Sequence, residues 1–391
     1  MYPLVKTLVC ALTLSSLVFA QSQEPLAIDL MRRGSSTGMN RSIQKIHSDV
    51  RQSRRKYASL FAAYEKNYGK QHPLRLTSQM QRKRNEGVMD LLDVGGDAEW
   101  LGKMSFGNQE FYIQFDTGSS DTLVNPGAYD HRKSKTSTVT HATFKSSYED
   151  GTYAEGDIYL DDLEIAGLKG KNVAIGVSHK NFTREIEKPS SGISGLGYPS
   201  IQTFPKSYKP FFLELKDQKA VNKSVFQFTM KPGNGSKLHL GGIDESMYQG
   251  NMVWQDIDRN YGVYVGHASI NGESVKAIVD SGTTLIIGNF HQVERIMKKL
   301  PHVTTIVEQG SLMGLFPCDQ ELDITITFSG KDFKLGPEQT RWGKEYGQCL
   351  MSIIGHHDMQ MNAWVVGDSF FQVASIVFDQ ENDRMGFAWQ A

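Results

Sequence analysis

Two stretches of this sequence share one short pattern: Phe111-Tyr-Ile-Gln-Phe-Asp116-Thr-Gly-Ser-Ser120 and Val275-Lys-Ala-Ile-Val-Asp280-Ser-Gly-Thr-Thr284. In each copy, an apolar run typical of a buried strand leads into an aspartate, a small hydroxyl residue and a glycine. The glycine allows a sharp backbone turn after the acid. The repeat therefore predicts one acidic side chain at the end of a buried strand in each half of the chain. Two such acids brought face to face would share a proton.

The length of the chain and its strand pattern indicate the fold class. The chain has 391 residues, more than one hydrophobic core usually serves. With the duplicated motif, this length predicts two lobes of roughly 150 residues with one site between them. Short runs with alternating polarity, separated by Gly, Asn, Asp and Pro turns, recur from Trp100 onward. We therefore expect an all-β fold with short surface helices at 210–216 and 290–300.

The first twenty residues have the layout of a secretory signal peptide. Residues 1–20 contain one cation, Lys6, an apolar stretch from Leu8, and a small-residue cleavage site ending at Ala20. A membrane anchor is the weaker alternative, because this apolar run is shorter than the roughly 20 residues that span a bilayer. We expect a protein that is secreted or delivered to the lumen of an acidic secretory or vacuolar compartment, with no membrane anchor.

A basic leader follows the signal peptide. Residues 21–84 contain 14 Lys and Arg against 4 Asp and Glu, whereas residues 85–391 contain 27 against 39. Because opposite charges attract, we expect the leader to lie on the acidic remainder as a detachable pro-segment. Its end, Gln81-Arg-Lys-Arg84, is a polybasic run that processing proteases cut, so Arg84 is the predicted maturation point. A nucleic-acid-binding arm is the alternative, and a secreted chain with an acidic body disfavours it, so no nucleic-acid partner is expected.

The predicted organisation is therefore a signal peptide (1–20), a pro-segment (21–84), a first lobe (85–254) and a second lobe (255–391). Once the signal peptide is removed, Cys318 and Cys349 are the remaining cysteines. An even pair in a secreted chain predicts a disulfide, and two cysteines without a nearby histidine pair do not predict a metal site. Three Asn-X-Ser/Thr sequences predict glycan acceptors, so a glycoprotein is expected. They begin at Asn181, Asn222 and Asn234.

The ordered motifs resemble the pepsin-like eukaryotic aspartic proteases, which are secreted as zymogens. The resemblance covers nearly everything from Trp100 to Ala391. Besides the two aspartate motifs, it rests on Tyr148-Glu-Asp-Gly-Thr152, Gly192-Ile-Ser-Gly-Leu196, Leu238-His-Leu-Gly-Gly-Ile-Asp244 and Trp364-Val-Val-Gly-Asp368. It implies two six-stranded-type β lobes related by pseudo-twofold symmetry, with the active-site cleft between them. It also implies a monomeric aspartic endopeptidase that acts on peptides or proteins at acidic pH.

The resemblance assigns a role to each part of the motifs. Asp116 and Asp280 are the implied catalytic dyad. The dyad is expected to be supported by Thr117, Gly118, Ser119, Ser281, Gly282 and Thr283. The pair Asp150-Gly151 predicts the tip of a β-hairpin, which this family uses as a flap over the cleft. Substrate contacts are expected from Tyr148, Asp150, Gly151 and Ile193.

The chemistry of a carboxylate pair requires neither a metal nor a cofactor. Two neighbouring carboxylates cannot both ionise cheaply, so the pair holds one proton over an acidic range. The ionised acid takes a proton from an attacking water, while the protonated acid hydrogen-bonds the peptide carbonyl oxygen. Ordinary turn aspartates are the alternative interpretation, and they do not account for the matching hydroxyls and glycines of both copies.

One residue departs from the family pattern close to the first motif. Leu123 stands where family members carry a tryptophan that supports the flap tyrosine. A catalytically silent pepsin-fold binding or inhibitor protein is therefore the alternative function. In the zymogen, a pro-segment cation is expected to pair with the dyad near neutrality, with Lys66 and Lys70 as the candidates.

Overall fold

The computed structural model describes residues 26–33, 42–76, 99–147, 153–180, 190–232 and 235–391. Most elements within these ranges are β-strands, which confirms the predicted all-β class. Several predicted residues lie outside the described ranges. They are Arg84, Tyr148, Asp150, Gly151, Asn181 and Asn234.

The strands and helices are numbered separately in chain order. The strands are β1 (Leu26–Arg33), β2 (Glu99–Phe106), β3 (Gln109–Asp116), β4 (Thr122–Val124), β5 (Thr138–Ser147), β6 (Tyr153–Ile165), β7 (Leu168–Ser178), β8 (Ser190–Gly195), β9 (Val225–Thr229), β10 (Ser236–Leu240), β11 (Tyr248–Asp256), β12 (Val265–Ile270), β13 (Glu273–Val279), β14 (Ile286–Asn289), β15 (Thr304–Glu308), β16 (Ser311–Phe316), β17 (Thr325–Phe328), β18 (Lys331–Lys334), β19 (Arg341–Glu345), β20 (Gln348–Met351), β21 (Ile353–His356), β22 (Trp364–Val366), β23 (Ala374–Asp379) and β24 (Arg384–Gln390). The helices are α1 (Ile43–Tyr68), α2 (Phe211–Asp217), α3 (Phe290–Lys299), α4 (Pro337–Thr340) and α5 (Asp368–Phe371). The two short surface helices predicted from the sequence correspond to α2 and α3.

The described strands form two sheets, and each sheet contains one aspartate motif. The first has the order β11-β24-β23-β9-β10-β1-β2-β3-β8-β4-β7-β6-β5, and the second has the order β18-β17-β12-β13-β22-β14-β21-β16-β20-β19, with β15 paired to β16. The last two strands of the chain, β23 and β24, pair with β9 and β11 in the first sheet. The lobe boundary proposed after residue 254 falls within β11 and stays a prediction.

The two motifs are embedded in matching strand arrangements. β3 runs parallel to β8, which is antiparallel to β4. In the same way, β13 runs parallel to β22, which is antiparallel to β14. Both motif strands are largely buried because their apolar side chains face the core. The repeated sequence pattern therefore folds into a repeated three-strand unit in each half.

The leader contributes the longest described helix, α1, and its apolar side chains recur at a spacing near 3.6 residues. They pack in one hydrophobic cluster with side chains of the second sheet, such as Met313 and Leu315. Burying each large apolar side chain contributes roughly 1.5–3 kcal/mol. The buried apolar residues in this stripe include Ile46, Val50, Tyr57, Phe61 and Tyr64. Gly69 ends the helix in the left-handed conformation, with φ of 67°.

The second lobe is held by a disulfide, in agreement with the prediction from the sequence. Cys318 and Cys349 are bonded, with their Cα atoms 5.0 Å apart. Cys349 lies in β20, opposite Phe316 of β16. Within the described ranges, none of the helices has the length and apolar composition needed to cross a bilayer.

Candidate active site

The two motif strands end at the predicted acids. Asp116 is the last residue of β3, and Asp280 directly follows β13. Both carboxylates are almost fully buried, with exposures of 2 % and 0 %. The main chain on either side is fixed by the neighbouring strand, because Leu196 donates to the Asp116 carbonyl at 2.9 Å and Asp280 donates to the Val366 carbonyl at 3.0 Å.

The glycine of each motif faces the acid of the other motif. A Cβ atom on Gly118 would lie 2.7 Å from Oδ1 of Asp280. A Cβ atom on Gly282 would collide with Oδ1 of Asp116. No side chain fits at either position without moving a carboxylate, so these glycines allow the two acids to meet.

The hydroxyl residues after the acids form hydrogen bonds between the two motifs. Thr117 Oγ1 donates to the Val279 carbonyl at 2.9 Å and accepts from the Ser281 amide at 3.0 Å. Ser281 Oγ donates to the Phe115 carbonyl at 2.8 Å and accepts from the Thr117 amide at 3.1 Å. These buried bonds join the ends of β3 and β13 and fix the distance between the acids.

Each carboxylate also accepts hydrogen bonds from its own motif. Ser119 Oγ donates to Oδ2 of Asp116 at 2.6 Å, and Thr283 Oγ1 donates to Oδ2 of Asp280 at 2.7 Å. The glycine amide of each motif donates to the other oxygen of its carboxylate, at 2.9 Å and 3.0 Å. The six residues predicted to support the pair therefore all lie at the carboxylates or directly beneath them.

Two side chains of α1 also contact the acids. Lys56 Nζ lies 2.9 Å from the Asp116 carboxylate and 2.7 Å from the Asp280 carboxylate. The Tyr57 hydroxyl donates to Oδ2 of Asp280 at 2.8 Å. Asp280 therefore has one more hydrogen-bond donor from the leader than Asp116.

The prediction that Lys66 or Lys70 pairs with the acids is wrong. Both residues are exposed, at and beyond the C-terminal end of α1, whereas Lys56 lies in the middle of that helix. The sequence shows a lysine beside a tyrosine of the apolar stripe, but this pattern alone does not say which turn of the helix meets the acids. Tyr57 was not predicted as a site residue at all.

The pKa values of the two aspartates shift in opposite directions: that of Asp116 is raised, and that of Asp280 is lowered. Burial raises the pKa of Asp116, and the nearby Asp280 charge adds to this effect, although Lys56 opposes it. Burial alone would also raise the pKa of Asp280, but the charge and hydrogen bond of Lys56 lower it below its usual value. Burial lowers the pKa of Lys56, and the two carboxylates outweigh this and raise it. Around Lys56, Asp116 therefore retains a proton more readily than Asp280.

Of the predicted site residues not yet placed, Ile193 and Asn222 fall within the described ranges. Ile193 is half-buried in β8 and is paired with Leu123 of β4. Leu123 packs against a small cluster that includes Phe144 and Phe204. Asn222 is exposed. In the described part of the chain, no group of three or more His, Cys, Asp or Glu side chains is placed to hold a metal ion.

Comparisons with known proteins agree with this geometry. Residues 99–390 match the family model of the eukaryotic aspartyl proteases. The chain is 41 % identical over 375 residues to secreted aspartyl protease 1 of Malassezia globosa, which covers 95 % of this chain and 94 % of that protein. It is 31 % identical over 336 residues to an aspartic protease of Phaffia rhodozyma, covering 80 % and 81 %. It is also 29 % identical over 329 residues to a probable inactive secreted aspartyl protease of Malassezia globosa, covering 80 % and 84 %.

The chain belongs to the eukaryotic aspartyl protease family and is a hydrolase of the aspartic endopeptidase type. The bilobal pepsin-like fold of that family agrees with the two sheets and their matching motif units.

Proposed function

We propose that this chain is the zymogen of a secreted aspartic endopeptidase whose catalytic residues are Asp116 and Asp280. The observation that carries the proposal is the reciprocal packing of the two motifs, in which each glycine faces the opposite carboxylate. The crossed bonds of Thr117 and Ser281 add support, because they hold the acids in a fixed relation. A site with this geometry is suited to sharing one proton.

The proposed reaction is general acid and base catalysis of peptide hydrolysis. Paired aspartates of this enzyme class hold a single proton over an acidic range. The ionised carboxylate removes a proton from water as the water oxygen attacks the peptide carbonyl carbon. The protonated carboxyl hydrogen-bonds the carbonyl oxygen as negative charge develops there. The hydroxyls of Ser119 and Thr283 hold the outer oxygens, so the inner oxygens face the water.

Residues 21–84 act in this proposal as an intramolecular inhibitor. Lys56 Nζ lies between the two carboxylates, where the water and the peptide carbonyl would have to bind. The lysine charge lowers the pKa of both carboxyls relative to a dyad without it. By linkage, the leader binds best when the carboxylates are ionised, and its binding weakens as the pH falls from their pKa values in the free dyad toward those in the complex. Acid therefore favours release of the leader.

Several further features of the sequence complete the proposal. A processing protease cuts after Arg84 and separates the leader from the lobes at 85–254 and 255–391. The signal peptide at 1–20 directs secretion, which agrees with the secreted relative that is 41 % identical. The flap residues Tyr148, Asp150 and Gly151, with Ile193, bind an extended peptide. The mature enzyme acts as a monomer and is glycosylated at one or more of Asn181, Asn222 and Asn234.

Acid activation tests the proposed function. The purified full-length chain should be inactive on an unfolded protein near pH 7 and become active after acidification, because the leader is then released. A statine-type inhibitor, which mimics the tetrahedral intermediate of this chemistry, should abolish the acid activity. Metal chelators provide the matched control and should have no effect. Activity that survives the statine inhibitor would rule out the proposed mechanism.

The alternative of a silent binding protein is supported by one comparison, the relative named probable inactive, at 29 % identity. In this chain both aspartates and both glycines of the motifs are intact, which favours the peptidase. Binding of a statine-type inhibitor without hydrolysis of any peptide at acidic pH would favour the alternative.

A further inference from the structure

A buried histidine lies in the leader just after α1. His72 is 1 % exposed, and its ring lies 4.8 Å from the Phe61 ring and 4.7 Å from the Tyr64 ring, between ring centres. Its Nε2 is 2.7 Å from the Tyr261 carbonyl oxygen, and its Nδ1 is 3.1 Å from the Leu74 amide nitrogen. A carbonyl oxygen can only accept a hydrogen bond, and a main-chain N–H group can only donate one. His72 is therefore neutral, with its proton on Nε2 and a lone pair on Nδ1.

The turn that His72 stabilises is the last described part of the leader, residues 72–76. It binds to the second lobe through main-chain hydrogen bonds. The Asn362 amide donates to the Leu74 carbonyl at 2.9 Å, and the Leu76 amide donates to the Gln360 carbonyl at 3.0 Å. The chain continues from this turn to the polybasic run that ends at Arg84. The state of His72 therefore bears on how the end of the leader is held.

The charged groups around His72 do not compensate for its burial. Glu65 of α1 faces it, but the Glu65 carboxylate is paired with Arg75 at 2.8 Å. On the body, Lys276 Nζ lies 5.8 Å from the centre of the Tyr261 ring. Burial lowers the pKa of His72, and neither the Tyr261 carbonyl nor the Glu65 charge reverses that direction. Protonation of Nδ1 would also place its new hydrogen against the N–H of Leu74, and the hydrogen bond between them would be lost.

We propose that His72 is a pH-sensitive latch: the neutral ring holds residues 72–76 on the second lobe, and protonation releases that turn. This inference rests on the proposed zymogen function and adds a step to it. An exposed histidine has a pKa of about 6.5, and burial lowers the pKa of the docked ring. The latch is therefore fully closed above about pH 6.5 and weakens as the pH falls toward the docked pKa, by at most about tenfold per pH unit.

The latch acts apart from the contacts at the two acids. Protonation of His72 loosens the turn at 72–76, whereas the Lys56 contacts weaken as the carboxylates take up protons. Acid therefore acts on two separate parts of the leader.

His47 provides a matched comparison on the same leader. It is also buried, and burial lowers its pKa. Its Nε2, however, is 3.4 Å from a Glu308 carboxylate oxygen. An ion pair with Glu308 would offset part of the cost of protonating His47, and His47 lies on α1 beside β15 rather than at the turn of residues 72–76, so it serves as the control.

Hydrogen exchange of the full-length chain, from about pH 7.5 to about pH 5.5, tests the latch across the histidine range. After correction for intrinsic exchange, the protection factors of the Leu74 and Leu76 amides should decrease in the wild type as the pH is lowered. The decrease should be at most about tenfold per pH unit. His72→Gln should remove this dependence, because the glutamine amide can donate to Tyr261 but does not titrate. His47→Gln should behave like the wild type.

Protection that does not change with pH in the wild type would overturn the latch, as would an identical pH dependence in His72→Gln. If His72→Gln does not fold, NMR titration of the His72 ring in the wild type decides, because a docked pKa at or above 6.5 contradicts the proposal. Neither readout depends on peptidase activity. Failure of the latch is therefore distinguishable from failure of the proposed catalytic function.

Discussion

The two halves of the candidate site are alike in their own bonds and unlike in their contacts with the leader. In each half, a hydroxyl and a glycine amide donate to the carboxylate, at nearly equal distances. Tyr57 of the leader adds a donor to Asp280, and the pKa values of Asp116 and Asp280 shift in opposite directions around Lys56. The symmetry thus comes from the repeated motif, and part of the asymmetry comes from the leader.

The largest expected effect tests whether both acids are equally necessary. Asp116→Asn and Asp280→Asn should each lower kcat of the acid-activated protein by about 10²–10⁴-fold, the range for loss of a general acid or base. The loss should be similar in both variants because one proton is shared by the pair. Initial rates on a peptide substrate measure it, and Asp319→Asn, at an exposed position, serves as the control. Full activity in either dyad variant contradicts the proposed mechanism.

A second comparison concerns the stability of the lobes. The sequence has no cysteine in 85–254, whereas the second lobe has the Cys318–Cys349 bond, which closes a loop with a sequence separation of 31. Replacing both cysteines with serine should destabilise the second lobe by roughly 3–4 kcal/mol, since the unfolded chain gains entropy. Urea unfolding followed by hydrogen exchange separates the lobes. An equal loss in both lobes would show that the bond does not act locally.

The strand pattern and the acid motifs were readable from the sequence because they depend on local spacing. An apolar run that ends in an acid, a hydroxyl and a glycine predicts where β3 and β13 stop. The disulfide was readable because two cysteines remained to be paired. The site residues from Thr117 to Ser119 and from Ser281 to Thr283 follow from their positions in the motifs, and the structure brings them together.

Local spacing did not predict the contact of Lys56 with the acids, nor the long-range pairing of strands. Helical periodicity predicts the buried face of α1, but it does not say which turn of the helix faces the acids. That position depends on how the helix packs on side chains such as Met313 and Leu315, far away in sequence. Likewise, the pairing of β23 with β9 joins Ile376 to Phe228, which are 376 − 228 = 148 positions apart in the sequence. No local pattern specifies such a partner.

The leader's unequal contacts give the third prediction. Lys56→Met removes the bonds to both carboxylates, whereas Tyr57→Phe removes one bond to Asp280. A hydrogen bond to a charged group contributes roughly 1.5–3 kcal/mol. Lys56→Met should therefore weaken inhibition more than Tyr57→Phe, and it should move the onset of activity to a higher pH. Activity of the uncut chain across the pH range measures this, with the exposed Lys70→Met as control.

The opposite ranking would contradict the role given to Lys56. If Tyr57→Phe released more activity than Lys56→Met, the tyrosine bond rather than the lysine charge would hold the leader on the site. An onset of activity that stays at the same pH in Lys56→Met would show that the pH response does not pass through the carboxylates.

The smallest expected effect tests the symmetry of the body itself. Ser119→Ala and Thr283→Val each remove one donor to an outer carboxylate oxygen, and each of these bonds lowers the pKa of its acid. Loss of the donor raises the pKa of that aspartate. As the pH is lowered, its carboxylate therefore becomes protonated, and stops acting as a base, at a higher pH. The acidic limb of the kcat/KM profile should move upward by about one pH unit or less, because one unit corresponds to about 1.4 kcal/mol. Equal shifts in the two mature variants would mean that the halves are equivalent once the leader is gone, whereas a shift in one variant alone would place the working base in that lobe.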